Sequence, residues 1–378
     1  MVKKLDNPFI EYGYFGSEYF CDREQETERL LSALANGSNV TLIAPRRIGK
    51  TGLIHHAFEQ LKCSARKDVS CFYIDIFHTK NTVQLAEALA AEILGHLDNP
   101  LQSATRKVST FFSSLRPSVA FDELTGAPTF RLDVAPDQAR NTLRQLFEYI
   151  HDSGKTCYLA IDEFQQVLTY PDSGIDAYLR SIIQLIPNLR IIFSGSQQHL
   201  LSDMFMSAKH PFFNSSQMMV LKEIPMTAYQ SFANHFFTTQ HRSINDEAFG
   251  YLYHSVDGLT WYVQKILNRL YRKDRIELDQ HAVMMAIDEI VEEQSMMYEH
   301  YYYGLTENQA SVLCAIANDH TVRQPLSIDF AMRHSLPASS SISSALKSLN
   351  DKLLIHHDPK TGYSVYDRFF AIWLRRLP

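Results

Sequence analysis

Residues 44–51 of the chain read Ala44-Pro45-Arg46-Arg47-Ile48-Gly49-Lys50-Thr51. An apolar run at 40–43 precedes this stretch, and a helix-like segment at 53–61 follows it. A strand, a basic loop that ends in Gly-Lys-Thr and a helix together make a P-loop. In a P-loop, backbone N–H groups and the positive end of the helix surround the phosphates of a nucleotide. The sequence therefore predicts that residues 44–52 bind a nucleotide.

Each polar residue of the loop has a predicted role. Lys50 brings a point charge to the β- and γ-phosphates, and the Thr51 hydroxyl ligates Mg²⁺. Arg46 and Arg47 either add charge at the phosphates or pair elsewhere on the surface, and the sequence leaves both interpretations open. Gly52 lies in the first turn of the helix, where it would give the phosphates room.

The loop departs from the usual P-loop pattern at one position. Ala44 stands where the pattern has its first glycine. Alanine is tolerated there if its φ is negative, and Pro45 fixes the next φ near −65° by its ring, about the ordinary helical value. The assignment therefore needs support from the rest of the chain.

A second motif supplies that support. Residues 158–161 are an apolar strand that ends directly in Asp162 and Glu163, the Walker B arrangement. Asp162 is predicted to hold Mg²⁺ opposite Thr51. Glu163 is predicted to orient and deprotonate the attacking water. A strand end with a solvated acid pair is the alternative, and the upstream P-loop favours the catalytic interpretation.

Another buried strand, 189–193, ends in Ser194-Gly195-Ser196. A serine hydroxyl of this stretch is predicted to sense the γ-phosphate, and an ordinary strand-to-loop turn is the alternative. Strands that alternate with helices predict an α/β fold, a parallel sheet with helices on both faces. Ligands of such sheets bind at the carboxyl ends of the strands. The predicted site residues of all three strands lie at or just past these carboxyl ends.

The chain divides into three predicted domains. Residues 1–223 form a P-loop ATPase core, which carries a hairpin insertion at about 118–134 and a helical stretch at 100–116. Residues 224–300 read as four helices, the last of them at 279–298, and form a helical lid. Residues 301–378 read as three helices and a hairpin, which is a winged helix. At the start of the core, Asp22 is predicted to cap the first helix.

The amino-acid composition limits the kinds of partner and the cellular compartment that we expect for the protein. The net charge of the 378 residues is −6, so no overall basic field attracts nucleic acid. The spacing of the five cysteines fits neither a metal site nor a disulfide framework. Reduced, buried thiols are the favoured interpretation of these cysteines, and they predict a cytoplasmic protein. No run approaches the ~18 apolar residues of a membrane span, so we expect no membrane contact.

The winged helix leaves the question of DNA open. Residues 300–378 contain eight Lys and Arg against six Asp and Glu, a balance of +2. The serine-rich helix at 339–347 offers hydroxyls but little charge, so phosphate neutralisation would be modest. Binding of a protein partner is the alternative role of this domain.

Four stretches resemble the archaeal/prokaryotic ATPase family, a STAND-like branch of the AAA-type P-loop ATPases. They are Phe20-Cys21-Asp22-Arg23-Glu24, Pro45-Arg46-Arg47-Ile48-Gly49-Lys50-Thr51, Leu159-Ala160-Ile161-Asp162-Glu163-Phe164-Gln165 and Phe193-Ser194-Gly195-Ser196-Gln197. The resemblance covers nearly the whole chain. It implies ATP as the nucleotide and a strand order in which the sensor strand separates the Walker B strand from the P-loop strand. It also implies that Ser196 (or Ser194) is the sensor and that Arg23 lies near the base or ribose.

The chain departs from this family at two positions. Relatives often have an arginine after an aromatic pair near the end of the core, where this chain has Pro211-Phe212-Phe213-Asn214-Ser215. Relatives' lids often carry Gly-x-Pro, where this chain has Gly258-Leu259-Thr260. The source of an arginine that completes hydrolysis is therefore unassigned.

Three hypotheses follow. In the first, ATP and Mg²⁺ bind, the lid closes, the winged helix transmits the nucleotide state to a protein partner, and hydrolysis to ADP resets the switch. In the second, ATP only sets the conformation of a DNA-binding regulator. In the third, the nucleotide is a structural element of a scaffold that does not hydrolyse it. The sequence leaves open whether the chain forms a homo-oligomer.

Overall fold

The structure is a computed structural model that describes residues 5–64, 68–97, 115–121, 128–273, 277–358 and 361–377, with only the backbone of 115–121, 128–132 and 277. It contains two compact units. The core unit is Tyr12–Glu223, and the helical unit is Ile224–Pro378 together with the segment that ends at Glu11. Within the described ranges no helix is long and apolar enough to cross a membrane.

The core unit is built on a parallel sheet. Its five strands follow the order β2-β5-β6-β1-β7, and β3 pairs with β4 in a separate antiparallel hairpin. The strands are β1 (Val40–Ile43), β2 (Val69–Asp75), β3 (Leu115–Phe121), β4 (Pro128–Val134), β5 (Thr156–Asp162), β6 (Leu189–Gly195) and β7 (Gln217–Val220). The order confirms that β6 separates the Walker B strand from the P-loop strand. The inserted hairpin is also confirmed, whereas β7 was not predicted.

Helices cover both faces of the sheet, as the α/β prediction requires. They are α1 (Glu24–Ala35), α2 (Lys50–Cys63), α3 (Thr82–Leu97), α4 (Ala139–Asp152), α5 (Ile175–Ile183) and α6 (Gln198–Met206). Alternate residues of β5 enter different cores: Leu159 and Ile161 pack with α3 to α6, and Tyr158 and Ala160 pack with α1 and α2. The predicted helix at 100–116 lies outside the described residues as far as 114, and Leu115 already belongs to β3.

The prediction that Asp22 caps the first helix is wrong. Helix α1 begins at Glu24, and its N-cap residue is Arg23, with φ 78°. Asp22 also has a positive φ, 54°. An N-cap side chain reaches the free N–H groups of the first turn from the extended β region of the backbone, and two successive left-handed residues take Asp22 out of that geometry.

The helical unit begins with five helices. They are α7 (Met226–Thr238), α8 (Asp246–Ser255), α9 (Thr260–Tyr271), α10 (Gln280–Glu293) and α11 (Ser295–Tyr303). The last two replace the single helix predicted at 279–298, because Gln294 breaks the helical path with φ −104° and ψ 0°. A short parallel pair, β8 (Ser243–Ile244) with β9 (Glu277–Leu278), was not predicted, since two residues are too few to show a period.

The N-terminal segment belongs to this unit, although the predicted core was drawn from residue 1. Phe9 is fully buried, and its ring lies 5.2 Å from that of Phe237. The Asn268 amide donates to the Phe9 carbonyl at 2.6 Å. Burial of the Phe9 ring thus places the N-terminal segment in the helical unit, which the sequence pattern did not indicate. The three-domain division itself stays a prediction.

A winged helix completes the helical unit. It consists of α12 (Glu307–Asn318), α13 (Ile328–Arg333), α14 (Ser339–Asp351), the antiparallel pair β10 (Ile355–Asp358) and β11 (Gly362–Val365), and α15 (Arg368–Leu374). Helix α15 was not predicted. Asp367 caps it by accepting from the backbone N–H groups of Phe369 and Phe370.

Aromatic side chains join the winged helix to the preceding helices of the same unit. The Phe369 ring lies 5.1 Å from that of Tyr262 on α9, and the Phe370 ring stacks on Tyr298 of α11 at 5.0 Å. Tyr298, which is buried, therefore packs between the winged helix and the preceding helices. Both parts share one core.

We expect Phe369→Ala to destabilise the helical unit by about 3–5 kcal/mol, because it empties a fully buried aromatic site. The two tryptophans of the chain, Trp261 and Trp373, both lie in this unit, so their fluorescence during urea unfolding measures the change. The control is Tyr303→Ala on α11, a side chain that is 78% exposed. A loss no larger than the control's would contradict the shared core.

Candidate nucleotide-binding site

The backbone of residues 44–51 takes the form of a P-loop. Ala44 is buried and keeps a negative φ, as its substitution for glycine requires. Arg47 and Gly49 have φ values of 65° and 93°, and α2 begins at Lys50 directly after them. The loop therefore turns through two left-handed residues directly before α2, whose first N–H groups have no acceptor within the helix.

The predicted site residues of three strands meet at the carboxyl edge of the sheet. Lys50 Nζ lies 2.7 Å from Asp162 Oδ1 and 3.6 Å from Glu163 Oε1. Ser194, from the strand between them, donates its hydroxyl to Asp162 Oδ1 at 2.7 Å. This convergence confirms the geometric expectation drawn from the parallel sheet.

Asp162 is held as a carboxylate. Burial pushes its pKa up, but the Lys50 charge and the hydrogen bonds from Lys50, Ser194 and Tyr73 outweigh burial and hold the pKa below its usual range. Tyr73 on β2 donates its hydroxyl to Asp162 Oδ2 at 2.8 Å. No sequence motif points to this tyrosine, because only the strand order places β2 beside β5.

Glu163 is fixed by three donors on one oxygen. Its Oε2 accepts the Ser196 hydroxyl at 2.9 Å, the Ser196 backbone N–H at 3.2 Å and the Gln165 amide at 2.6 Å. Glu163 itself has φ 56°, a strained backbone for a non-glycine residue. Gln165 belongs to the family-like stretch that ends the Walker B strand, but the sequence assigned it no role.

Gly195 makes room for this arrangement. A Cβ at this position would lie 2.0 Å from the Gln165 side-chain oxygen. Any side chain there would therefore displace Gln165 from Glu163. The glycine of the Ser194-Gly195-Ser196 stretch is thus required by the carboxylate network itself.

The two loop arginines differ. Arg46 donates from Nε to the Ser196 hydroxyl at 3.0 Å, and its guanidinium lies 5.7 Å from the centre of the Phe77 ring. Arg46 therefore lies at the site beside the Glu163 network. Arg47 is half-buried in a left-handed conformation, and its contact with phosphate stays a prediction, as does the sensor role of Ser196.

Arg23 and Gly52 have structural roles that the sequence did not suggest. Arg23 is 2% exposed and donates to Glu26 at 2.8 Å and to the Ile48 carbonyl at 3.2 Å. It thus supports the P-loop backbone. A Cβ at Gly52 would lie 3.3 Å from the Phe20 ring. The lack of a side chain at this position therefore leaves room for that ring. Contacts of Arg23 and Gly52 with the nucleotide stay predictions.

We expect Arg23→Ala to destabilise the core unit by about 1–3 kcal/mol, because the buried Ile48 carbonyl loses its charged donor. Urea unfolding followed by far-ultraviolet circular dichroism measures the change. The matched control is Arg29→Ala, which removes an exposed arginine from α1, the helix that Arg23 precedes. Weaker nucleotide binding at unchanged stability would instead favour the predicted contact with base or ribose.

The donor set of the site fits a magnesium ion. The Thr51 hydroxyl and Asp162 Oδ2 lie 3.4 Å apart, and both are hard oxygen donors. The described residues contain no group of three or more His, Cys, Asp and Glu side chains suited to a metal. Magnesium is commonly held in this way, by one or two protein oxygens with water and phosphate oxygens.

The parallel sheet, the P-loop and the acid pair at the end of β5 define a P-loop nucleoside triphosphatase fold. The chain belongs to the family described as an ATPase domain predominantly from Archaea, whose model matches residues 20–266. A probable winged helix domain matches residues 296–376. These matches confirm the family and the fold class, and they support ATP binding. No sequence among the curated proteins matches the chain.

Solved structures share the fold along almost the whole chain. The Walker-type ATPase PABY2304 of Pyrococcus abyssi has a TM-score of 0.64 and 19% identity, with 97% of this chain and 99% of that chain covered. The ORC2 protein of Aeropyrum pernix, solved as ADPNP-ADP complexes, has a TM-score of 0.58 and 15% identity, with 97% and 95% covered. The Aeropyrum pernix ORC1 protein in complex with DNA has a TM-score of 0.54 and 12% identity, with 98% and 96% covered.

Proposed function

We propose that the protein is an ATP-hydrolysing conformational switch. The convergence of Lys50, Asp162, Glu163 and Ser196 at one edge of the sheet is the observation that carries this proposal. It supplies a cation for the phosphates, a carboxylate for Mg²⁺, a base for water and a polar group beside that base. These are the parts that phosphoryl transfer to water needs.

Each residue contributes a defined part of the reaction. Lys50 would bind the β- and γ-phosphates, and Glu163 would orient the attacking water and accept its proton. Thr51 and Asp162 would hold Mg²⁺, whose charge offsets that of the phosphates. The free N–H groups at the start of α2 would stabilise the negative charge that develops on the phosphate oxygens.

The ion pair and hydrogen bonds within the site suggest how a bound nucleotide would rearrange them. Lys50 is paired with Asp162, and Arg46 is bonded to Ser196, which in turn holds Glu163. A triphosphate offers both cations a stronger acceptor. We infer that binding draws Arg46 from Ser196 and loosens the hold on Glu163. The lid and the winged helix share one core, so a displaced lid would carry the winged helix to a protein partner.

Phosphate release by the purified protein tests this proposal. We expect release that depends on both ATP and Mg²⁺. A protein that retains ADP through purification and does not exchange it would instead support the scaffold hypothesis. Measurement of the molecular mass with and without ATP would show whether a homo-oligomer completes the site.

A second candidate function is DNA binding by the winged helix. A groove of about 660 Å³ lies between the segment 323–327, α14 and the β10–β11 hairpin, and its lining includes Arg323, Lys347 and His357. None of the described residues that line it is acidic. This local charge favours a polyanion although the net charge of the chain is negative. The Aeropyrum pernix ORC1 structure, which contains DNA, has the same fold.

We expect Lys347→Glu to weaken binding to duplex DNA and to lower the slope of log K against log salt by about 1, if Lys347 contacts a phosphate. Fluorescence anisotropy at several salt concentrations measures both quantities. Lys352→Glu is the matched control, because Lys352 lies outside the groove and donates to Gln309. Equal effects of the two variants would argue against the groove as the DNA-binding surface.

A further inference from the structure

We propose that Tyr73 is a positioning residue for Asp162 and thereby sets the affinity of the nucleotide site for Mg²⁺. The inference rests on the proposed function, since it assumes that Thr51 and Asp162 hold the ion. Tyr73 lies in none of the sequence motifs of the site. Its position follows from the strand order alone, in which β2 is the neighbour of β5.

The register of the two strands brings the phenol to the carboxylate. Tyr73 pairs with Ala160, two residues before Asp162 on β5. The Tyr73 hydroxyl lies 2.8 Å from Asp162 Oδ2 and 3.5 Å from the Thr51 hydroxyl. The Thr51 hydroxyl lies 3.4 Å from the same carboxylate oxygen. Three oxygens therefore form a triangle, and two of them belong to the residues assigned to the ion.

The two oxygens of Asp162 are held unequally. Oδ1 accepts from Lys50 at 2.7 Å, from Ser194 at 2.7 Å and from the Glu163 backbone N–H at 2.9 Å. Within the described residues, Oδ2 accepts from Tyr73 at 2.8 Å and from the Thr51 hydroxyl only at 3.4 Å. Tyr73 is thus the strong donor on the oxygen that faces Thr51. Removing its hydroxyl would leave that oxygen with only the long hydrogen bond from Thr51 among the described residues.

Tyr73 is itself fixed in place. Its ring lies 4.7 Å from that of His55 on α2, and its backbone N–H donates to Glu92 on α3 at 3.1 Å. Its phenol hydroxyl is the donor of the hydrogen bond to the Asp162 carboxylate. Partners that orient a metal ligand in this way typically change metal affinity by about 10–100-fold when removed.

The test is Tyr73→Phe, which keeps the ring and removes only the hydroxyl. Binding of a fluorescent ATP analogue is measured in EDTA and across a Mg²⁺ titration. We expect the Mg²⁺ concentration for half-maximal effect to rise about 10-fold, with binding in EDTA within about twofold of wild type, since the Lys50 contact is untouched. Tyr14→Phe is the control, because its hydroxyl bonds to His56 and Glu59 and not to Asp162.

An unchanged Mg²⁺ midpoint in Tyr73→Phe overturns the inference and leaves the proposed function intact. Equal losses in EDTA and in Mg²⁺ also overturn it, because they indicate a general structural role. A wild-type protein that binds the analogue equally with and without Mg²⁺ overturns the magnesium site of the proposed function, and the inference with it.

Discussion

Replacement of Lys50 by alanine is expected to weaken ATP binding by roughly 30-fold to a few thousand-fold, which corresponds to about 2–5 kcal/mol for the loss of one member of a buried charge pair. Lys50 is 8% exposed, and its ammonium group lies 2.7 Å from Asp162. Charges interact strongly in such surroundings because little water screens them. A titration with a fluorescent ATP analogue measures the loss.

Two controls accompany this variant. Lys62→Ala removes an exposed lysine from the other end of α2 and should leave the affinity unchanged. A thermal melt is needed because Lys50→Ala also leaves the buried Asp162 carboxylate without its cation. A folded Lys50→Ala protein with wild-type affinity would refute the assignment of residues 44–51 as the phosphate-binding loop.

Glu163→Gln is expected to lower ATP turnover by about 10²–10⁴-fold, the usual contribution of a general base. The amide has nearly the same shape as the carboxylate but cannot accept the proton of the attacking water. Affinity for ATP should stay within a few-fold of wild type, because Lys50 and the loop backbone remain. Steady-state phosphate release and analogue binding measure the two quantities separately.

Glu59→Gln is the matched control, since Glu59 lies in the same unit and bonds to Tyr14, away from Asp162. Turnover that survives Glu163→Gln would remove the catalytic assignment of Glu163 while leaving ATP binding in place. Loss of binding together with turnover would point to a structural role for the network of Glu163 with Ser196 and Gln165.

The central residues of the site could be predicted because they follow strands. Lys50, Asp162 and Ser194 each lie at or just beyond the carboxyl end of a strand, and parallel strands bring those ends to one edge. Their common position could therefore be predicted from motif spacing and from the rule that parallel strands bring their carboxyl ends to one edge of the sheet. The winged helix was predictable for a similar reason, since its helices and hairpin carry clear local periods.

The partners of these residues could not be predicted in the same way. Tyr73 reaches Asp162 because β2 neighbours β5, and Gln165 reaches Glu163 because the backbone turns left-handed at Glu163. The family resemblance predicts Arg23 near the base or ribose, and its hydrogen bond to the Ile48 carbonyl was not predicted. In each case the direction of a side chain, and not its place in a motif, decides what it contacts.

The sequence by itself determined the class of fold, the phosphate-binding loop and the acid pair, because these depend on local spacing and on strand ends. Only the tertiary structure decided how the loop is supported and how Asp162 and Glu163 are held. Those contacts join residues far apart in the chain, such as Tyr73 with Asp162 and Arg46 with Ser196. Packing of neighbouring strands brings them within hydrogen-bond distance, and no local pattern records which strands will be neighbours.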